Sequence, residues 1–261
     1  MTICRMLKDY DLNKDLIWIT FINYGYIDYT NNFLKSMKKN NINFKLIVFC
    51  NDDKTYNELV TNPQCICMKT DFLKTQFPPG MTSWGQQDYK RLVFAKLDVI
   101  LYTLKETYDM GVKSVGYIDT DIFLFSDPTP IMLDAMTTYK ETLVFSQCDE
   151  TGLSCSNPVK CSNICSGVIV FRNIPELYSL FDYKKEDIDL YSGDQQYLTV
   201  IFEKNNIARR TIPRKQMPNG AYFSSMRRPI KIEPDVCLLH FNYMIGHQKR
   251  DCMRIQGLWL L

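Results

Sequence analysis

Apolar positions in the first half of the chain fall into short blocks separated by stretches of helical spacing. Residues 16–22 (LIWITFI) and 44–50 (FKLIVFC) are short, largely apolar runs rich in β-formers, the pattern of strands buried on both faces. Between them, residues 29–39 set Phe33, Leu34 and Met37 on one side and lysines on the other, which predicts an amphipathic helix. A weaker strand follows at 65–68, then a breaker at Pro78-Pro79-Gly80. The longest helical pattern covers 86–108, and a strand at 114–118 runs straight into Asp119-Thr120-Asp121. The succession β-α-β-α-β-α-β predicts right-handed crossovers and a mainly parallel sheet covered by helices. Open sheets of this kind bind ligands beyond the carboxyl ends of their strands.

The second half is less regular. Strand patterns at 143–146 and 167–172 flank a polar, cysteine-containing stretch; a helix is expected to begin near Asp194, and a further strand at 208–212. Composition does not shift along the chain, and no Gly/Ser linker, repeat or low-complexity tract breaks it. The expectation is an α/β fold in a single domain over 1–261. A nucleotide-binding half would span about 1–127, and a smaller mixed, acceptor-side half 128–261.

A formal charge of +2, with both signs interspersed, gives no footprint for nucleic acid. The opening residues MTICRMLKDYDLNKD carry charges at short intervals, so neither a secretory signal nor a membrane span is expected, and the reading is a cytoplasmic protein. Ten cysteines would suit an oxidised secreted domain, but without a signal reduced thiols are the better reading. Cys148, Cys155, Cys161 and Cys165 lie close together without the paired C-x2-C spacing of common zinc sites. Sequence sets no oligomeric state.

Four segments carry chemistry. In GYIDTDIFLFSDP (116–128), Asp119 and Asp121 stand one residue apart at the end of an apolar strand. Burial there is costly without a cation, and a divalent ion could take both carboxylates while leaving positions for diphosphate. A solvated turn is the alternative for this pair, and Asp127-Pro128 suits the start of a helix. Lys96 sits on the apolar face of the 86–108 helix among Leu92, Val93, Val99 and Ile100. It either snorkels to water or faces the Asp119/Asp121 carboxylates or a phosphate. In SGDQQYL (192–198), Gly193 allows an unusual backbone angle and Asp194 could cap a helix; alternatively Asp194 and Gln195 fix sugar hydroxyls near the anomeric carbon. In LLHFNYMIGHQKR (238–250), His240 follows an apolar strand. It is either a satisfied core residue or a third ligand for manganese beside two carboxylates, with Gly246 and Lys249 able to approach phosphate.

The ordered set resembles the nucleotide-diphospho-sugar transferases related to glycogenin and bacterial galactosyltransferases, nearest the branch of plant arabinosyl- and xylosyltransferases. The matching positions are Asn23 and Tyr26 after the first strand, Lys96, Asp119-x-Asp121, Ser166-Gly167, Gly193-Asp194-Gln195, and His240 followed by Gly246-x-x-Lys249. The chain departs from the family in having Cys165 before Ser166, where Asn is common, with Asn163 two residues earlier. It also has a longer gap from His240 to Gly246 than glycogenin-like members.

The resemblance implies a GT-A-type, Rossmann-like fold and a metal-dependent transfer of sugar from a nucleotide diphosphate, UDP favoured, to a glycan, protein or small-molecule hydroxyl. It implies retention of configuration, with Asp194 or Gln195 as the nearest candidates for a catalytic role. Asn23 and Tyr26 would line the base and ribose. Lys96, Thr120, Ser166 and Gly167 would face the donor, and Gly246 and Lys249 would grip its diphosphate. Asp119, Asp121 and His240 would hold manganese, with magnesium as the alternative. Three rivals remain: a sugar-nucleotide pyrophosphorylase, a non-catalytic sugar-binding or scaffold protein, and a zinc-binding module on the Cys148–Cys165 stretch. The first would need a glycine-rich loop after the first strand, and residues 20–30 hold only Gly25.

Overall fold

The apolar blocks become strands because each alternates between two helical layers. β1 (Ile17–Ile22) and β2 (Leu46–Cys50) are buried at every position. The side chains of Ile17, Ile19, Phe21, Ile47 and Phe49 face one core, which includes Phe94, Leu97, Ile100 and Leu104. Trp18, Ile22, Leu46, Val48 and Cys50 face the other, with Phe33, Leu34, Met37, Met132 and Met136. This computed structural model describes residues 3, 9–10, 12–73, 77, 80–82, 84–150, 163–223 and 228–261. The first core rests on α3 (Gln87–Tyr108); the second on α1 (Ile27–Lys39) and α4 (Thr129–Thr138), so a sheet is sandwiched between helices. The connection from β2 to β3 (Cys65–Lys69) is α2 (Asp53–Leu59), whose first turn is capped by the Asp52 carboxylate accepting from Thr55 N at 2.8 Å.

The sheet has seven strands in the order β3-β2-β1-β4-β7-β6-β8, with β4 at Ser114–Ile118, β6 at Val144–Cys148, β7 at Ile164–Arg172 and β8 at Arg209–Ile212. All neighbours run parallel except β7, which is antiparallel to both β4 and β6. Strand order reverses between β1 and β4, the position where such a sheet opens a crevice at its carboxyl edge. A second, two-stranded antiparallel sheet pairs β5 (Ile122–Leu124) with β9 (Leu238–His240). It forms a third core of Phe123, Leu239, Phe241 and Met253 with α7 (His247–Ile255). Two further helices are α5 (Lys185–Leu190) and α6 (Asp194–Lys204). Among the described residues no helix is long and apolar enough to cross a membrane.

The expected mainly parallel sheet flanked by helices is present. The cysteine-containing stretch is shorter than its composition suggests, because β6 continues through Gln147 to Cys148 after a register shift and β7 starts at Ile164. Cys148 and Cys165 therefore lie buried in strands, while Cys155 and Cys161 lie outside the described residues. Asp127 accepts from Thr129 N at 2.8 Å, which starts α4 as the Asp-Pro pair predicts.

Gly116 in β4 marks the tightest packing of the sheet on its α1 and α4 side: a Cβ there would lie 2.6 Å from the Trp18 ring. That ring is itself fixed by a 2.9 Å bond from Nε1 to Thr129 Oγ1. Gly116→Ala should lower stability by about 1–3 kcal/mol through overpacking. Urea denaturation reads this directly, and an unchanged midpoint would mean that the indole yields freely.

Candidate active site

Two strand registers assemble three side chains that could hold a metal ion. Asp119 follows β4 directly, and its amide donates to Gly167 O at 2.7 Å, because the β4–β7 register sets Ile118 opposite Val168. Asp121 precedes β5, and the β5–β9 register sets Ile122 opposite His240, with Phe241 N donating to Asp121 O at 2.9 Å. The imidazole Nε2 thus lies 3.3 Å from Asp121 Oδ1 and 3.8 Å from Asp119 Oδ2. One ligand atom from each of Asp119, Asp121 and His240 falls within 4.8 Å of the others. Two carboxylates and one imidazole suit a hard or borderline divalent cation. Gly167 is what admits this approach: a Cβ on it would stand 2.3 Å from Asp119 Oδ2 and 2.6 Å from His240 Cε1.

Charge is balanced closely around the cluster. Burial alone would raise the Asp121 carboxyl, but the Lys249 ammonium, 2.5 Å from Oδ2, and His240 outweigh it and hold its pKa well below the carboxylate range. Asp119 is shifted upward, by desolvation first and by Asp121, with Lys96 pulling the other way. Its side chain is still 35% exposed and opens to the cleft. Burial works against a charge on His240, yet Cys165 and Asp121 beside it lift its pKa well above the ordinary imidazole value. One carboxylate of the pair is thus driven towards ionisation and the other away from it.

The cluster lies in a cleft of about 640 Å³. Tyr26, Lys96, Thr120, Ser166, Gly167, Asp194, Gln195, Gly246 and Lys249 line it with Asp119, Asp121 and His240. Asn23 does not; it is fully buried behind the wall and donates from Nδ2 to Gly80 O at 2.9 Å. Tyr26 holds the adjoining segment in the same way, its hydroxyl donating to Thr82 O at 2.9 Å. Gly25, the only glycine near the end of β1, packs against the backbone of Gly80 and Met81.

Several local expectations change. Lys96 does not snorkel: it is buried, 2.6 Å from Asp194 Oδ2, and donates to Ser166 O and Oγ at 3.3 and 3.2 Å. Asp194 is the first residue of α6, not its cap, and Gly193 is extended, a conformation open to any residue. Gly246 does have the left-handed backbone, φ +52°, that favours glycine. Lys249 belongs to the first turn of α7, so the segment after Gly246 is helical.

Asp149 was not nominated from sequence. It accepts from Gln195 Nε2 at 2.8 Å and Asn242 Nδ2 at 2.9 Å, while Ser166 N donates to Gln195 Oε1 at 3.2 Å. A carboxylate just past a buried strand, the signal that singled out Asp119, was available here too once β6 is extended to Cys148.

The Lys96–Asp194 pair has side chains 5% and 7% exposed, so breaking one partner strands a buried charge. Lys96→Met should cost about 3–5 kcal/mol, and adding Asp194→Leu should recover most of it. Guanidinium denaturation of the two variants tests this; a double variant no more stable than the single would show that the pair is not a closed electrostatic unit.

The family model for nucleotide-diphospho-sugar transferases matches residues 41–253. A UDP-galactose:fucoside alpha-3-galactosyltransferase of Dictyostelium discoideum is 21% identical over 286 residues, covering 93% of this chain and 43% of its own length. The chain thus spans under half of that relative. Among solved structures, the glycosyltransferase GlyE of Streptococcus pneumoniae TIGR4 aligns with a TM-score of 0.55 at 16% identity, over 94% of this chain and 61% of that one. An active-site mutant of LgtC, with glutamine replaced by glutamate, aligns with a TM-score of 0.57 at 12% identity, over 92% and 94%. At such identities the structural likeness establishes the fold alone, which is GT-A-type. With the match to four-fifths of the sequence, the chain belongs to the nucleotide-diphospho-sugar transferase family.

Proposed function

We propose that this chain is a metal-dependent glycosyltransferase that takes a UDP-sugar as donor and transfers the sugar to an acceptor hydroxyl with retention of configuration. The observation that carries the reading is the meeting of Asp119, Asp121, His240 and Lys249 at the carboxyl end of β4. Asp119, Asp121 and His240 would hold the ion, manganese by preference or magnesium, which when bound neutralises charge on the departing diphosphate. The gap that Gly167 leaves and the hard donor set both fit such an ion. The galactosyltransferase relative is named for a UDP-linked donor, which supports UDP here.

In this reading Lys249 adds a second positive group to the diphosphate end, and Gly246 lets the backbone turn there. Tyr26 lies along the base and ribose side of the cleft; Asn23 acts through its hold on Gly80. Thr120, Ser166 and Gly167 flank the donor, and Lys96 sets Ser166 through two hydrogen bonds. Donor contacts come mainly from residues up to 127 and acceptor contacts mainly from the later half, except that His240, Gly246 and Lys249 return to the donor end.

Retention by same-face attack fits the side chains best. Asp194 is committed to Lys96 in a buried pair, and the Gln195 amide is tied at both ends, to Ser166 N and Asp149. Neither is a free nucleophile, and an amide is a weak one in any case. The acceptor proton then passes to an oxygen of the leaving phosphate. Gln195 holds the reacting centre in orientation, with its carbonyl side towards β7.

UDP should bind at least about tenfold more tightly with manganese than with chelator, because the carboxylates otherwise repel the diphosphate. Calorimetry giving equal affinities would remove the metal bridge. Lys249→Ala should lower kcat more than it raises KM, since its contact strengthens as the leaving group gains charge. Steady-state release of UDP from UDP-sugars measures both, and a pure KM effect would place Lys249 in ground-state binding only.

A further inference from the structure

The proposed metal site leaves open which ring nitrogen of His240 carries the proton, and the surrounding hydrogen bonds decide it. Gln147 is fully buried in β6. Its Nε2 donates to Met217 O at 2.9 Å and to Pro218 O at 3.2 Å, so both amide hydrogens are used on backbone carbonyls. Flipping the amide would set Oε1 against those two acceptors. Oε1 is therefore the atom that meets His240 Nδ1 at 2.7 Å, and an amide oxygen can only accept. Nδ1 must carry the proton.

We infer that Gln147 is a positioning residue which fixes the Nδ1–H form of His240 and so leaves the Nε2 lone pair for an ion shared with the Asp119/Asp121 carboxylates. The inference rests on the metal-dependent reading but concerns a residue that touches neither donor nor ion. Its content is specific because a competitor is present. Cys165 Sγ lies 3.5 Å from the same Nδ1, and a thiol can donate a weak hydrogen bond. Without Gln147, that contact and the Asp121 carboxylate 3.3 Å from Nε2 favour an unprotonated Nδ1 and a proton on Nε2, where it blocks coordination. Backbone geometry reinforces the arrangement: His240 N donates to Pro218 O at 3.1 Å, so Pro218 O receives both the histidine amide and the Gln147 amide. Ring and orienter are thereby referenced to one peptide unit. Outer-shell partners of metal-bound histidine commonly set tautomer and ring orientation, and losing one costs roughly 10–100-fold in metal affinity.

Only two histidines occur in the chain, so histidine-selective ¹⁵N–¹H correlation spectra, with H247N to assign the other ring, can read this tautomer. Spectra should be recorded with magnesium and UDP, and again with chelator at a pH where the ring is neutral. The wild type should show the proton on Nδ1 in both. Q147L should bind manganese roughly 10–100-fold more weakly by calorimetry and shift the proton towards Nε2. Q147E keeps an acceptor opposite Nδ1 and should retain more affinity than Q147L, with melting temperatures of the metal-free proteins recorded alongside. A wild-type proton on Nε2, or unchanged manganese affinity in Q147L, overturns the assignment. If Q147L does not fold, the wild-type spectrum and the affinity of Q147E decide it. A wild type that binds neither ion would overturn the metal reading alone, and the chelated spectrum would still settle the tautomer.

Discussion

Everything in the cleft follows from placing two carboxylates one residue apart where water cannot fully solvate them. Asp121 is 9% exposed, and a buried carboxylate of that kind needs a counter-charge held in place. The chain supplies it from far away in sequence. His240 and Lys249 reach Asp121 from the C-terminal segment, and Lys96 lies near Asp119 while paired with Asp194. Lys96 and His240 are themselves buried and Lys249 is only partly exposed, so each charge here leans on the others. The site is a set of mutual compensations, and a divalent ion is the addition that such a set accommodates.

Registers, not loops, give the set its precision. The β4–β7 pairing delivers Gly167 beneath Asp119, and the β5–β9 pairing delivers His240 beside Asp121. A one-residue slip in either would turn the relevant side chain to the opposite face. Gly167 shows how little room remains, since even a methyl group would overlap both a carboxylate oxygen and the imidazole. The end of β6 completes the frame: Gln147 meets His240 and Asp149 meets Gln195, so one strand end orients a residue on each side of the cleft.

What could be read from sequence follows the range of the interactions involved. β1, β2 and β4 were legible because burial on both faces leaves a short, largely apolar run, and Asp119-x-Asp121 was legible because polar residues interrupt such a run. Lys96 remained ambiguous: helical spacing shows that it starts from the apolar face, but its partner Asp194 is brought in only when α3 packs against α6. Gln147 and Asp149 were missed for a related reason. The register shift in β6 hides the end of that strand, and their partners lie 93 and 46 residues away. Gly193 was over-read, since its extended backbone asks nothing of glycine, whereas Gly167 was under-read because its requirement comes from neighbours on other strands.

The C-terminal segment can carry half of the cation balance because α1 clamps it. Asn32, fully buried in α1, donates from Nδ2 to Leu258 O at 3.0 Å and accepts from Leu260 N at 2.7 Å. One turn earlier, Tyr29 donates from its hydroxyl to Gly246 O at 3.0 Å and meets the Trp259 ring edge-on at 5.5 Å. These contacts fix both ends of α7, whose first turn bears Lys249. A single amphipathic helix near the start of the chain therefore packs the central sheet with Phe33, Leu34 and Met37 and sets the position of an ammonium over 200 residues later. Stability of the fold and placement of charge at the cleft depend on different faces of the same helix, α1. A change that loosens its grip on the tail should thus be felt first at Asp121, where the lost cation leaves a buried carboxylate with only His240 to balance it.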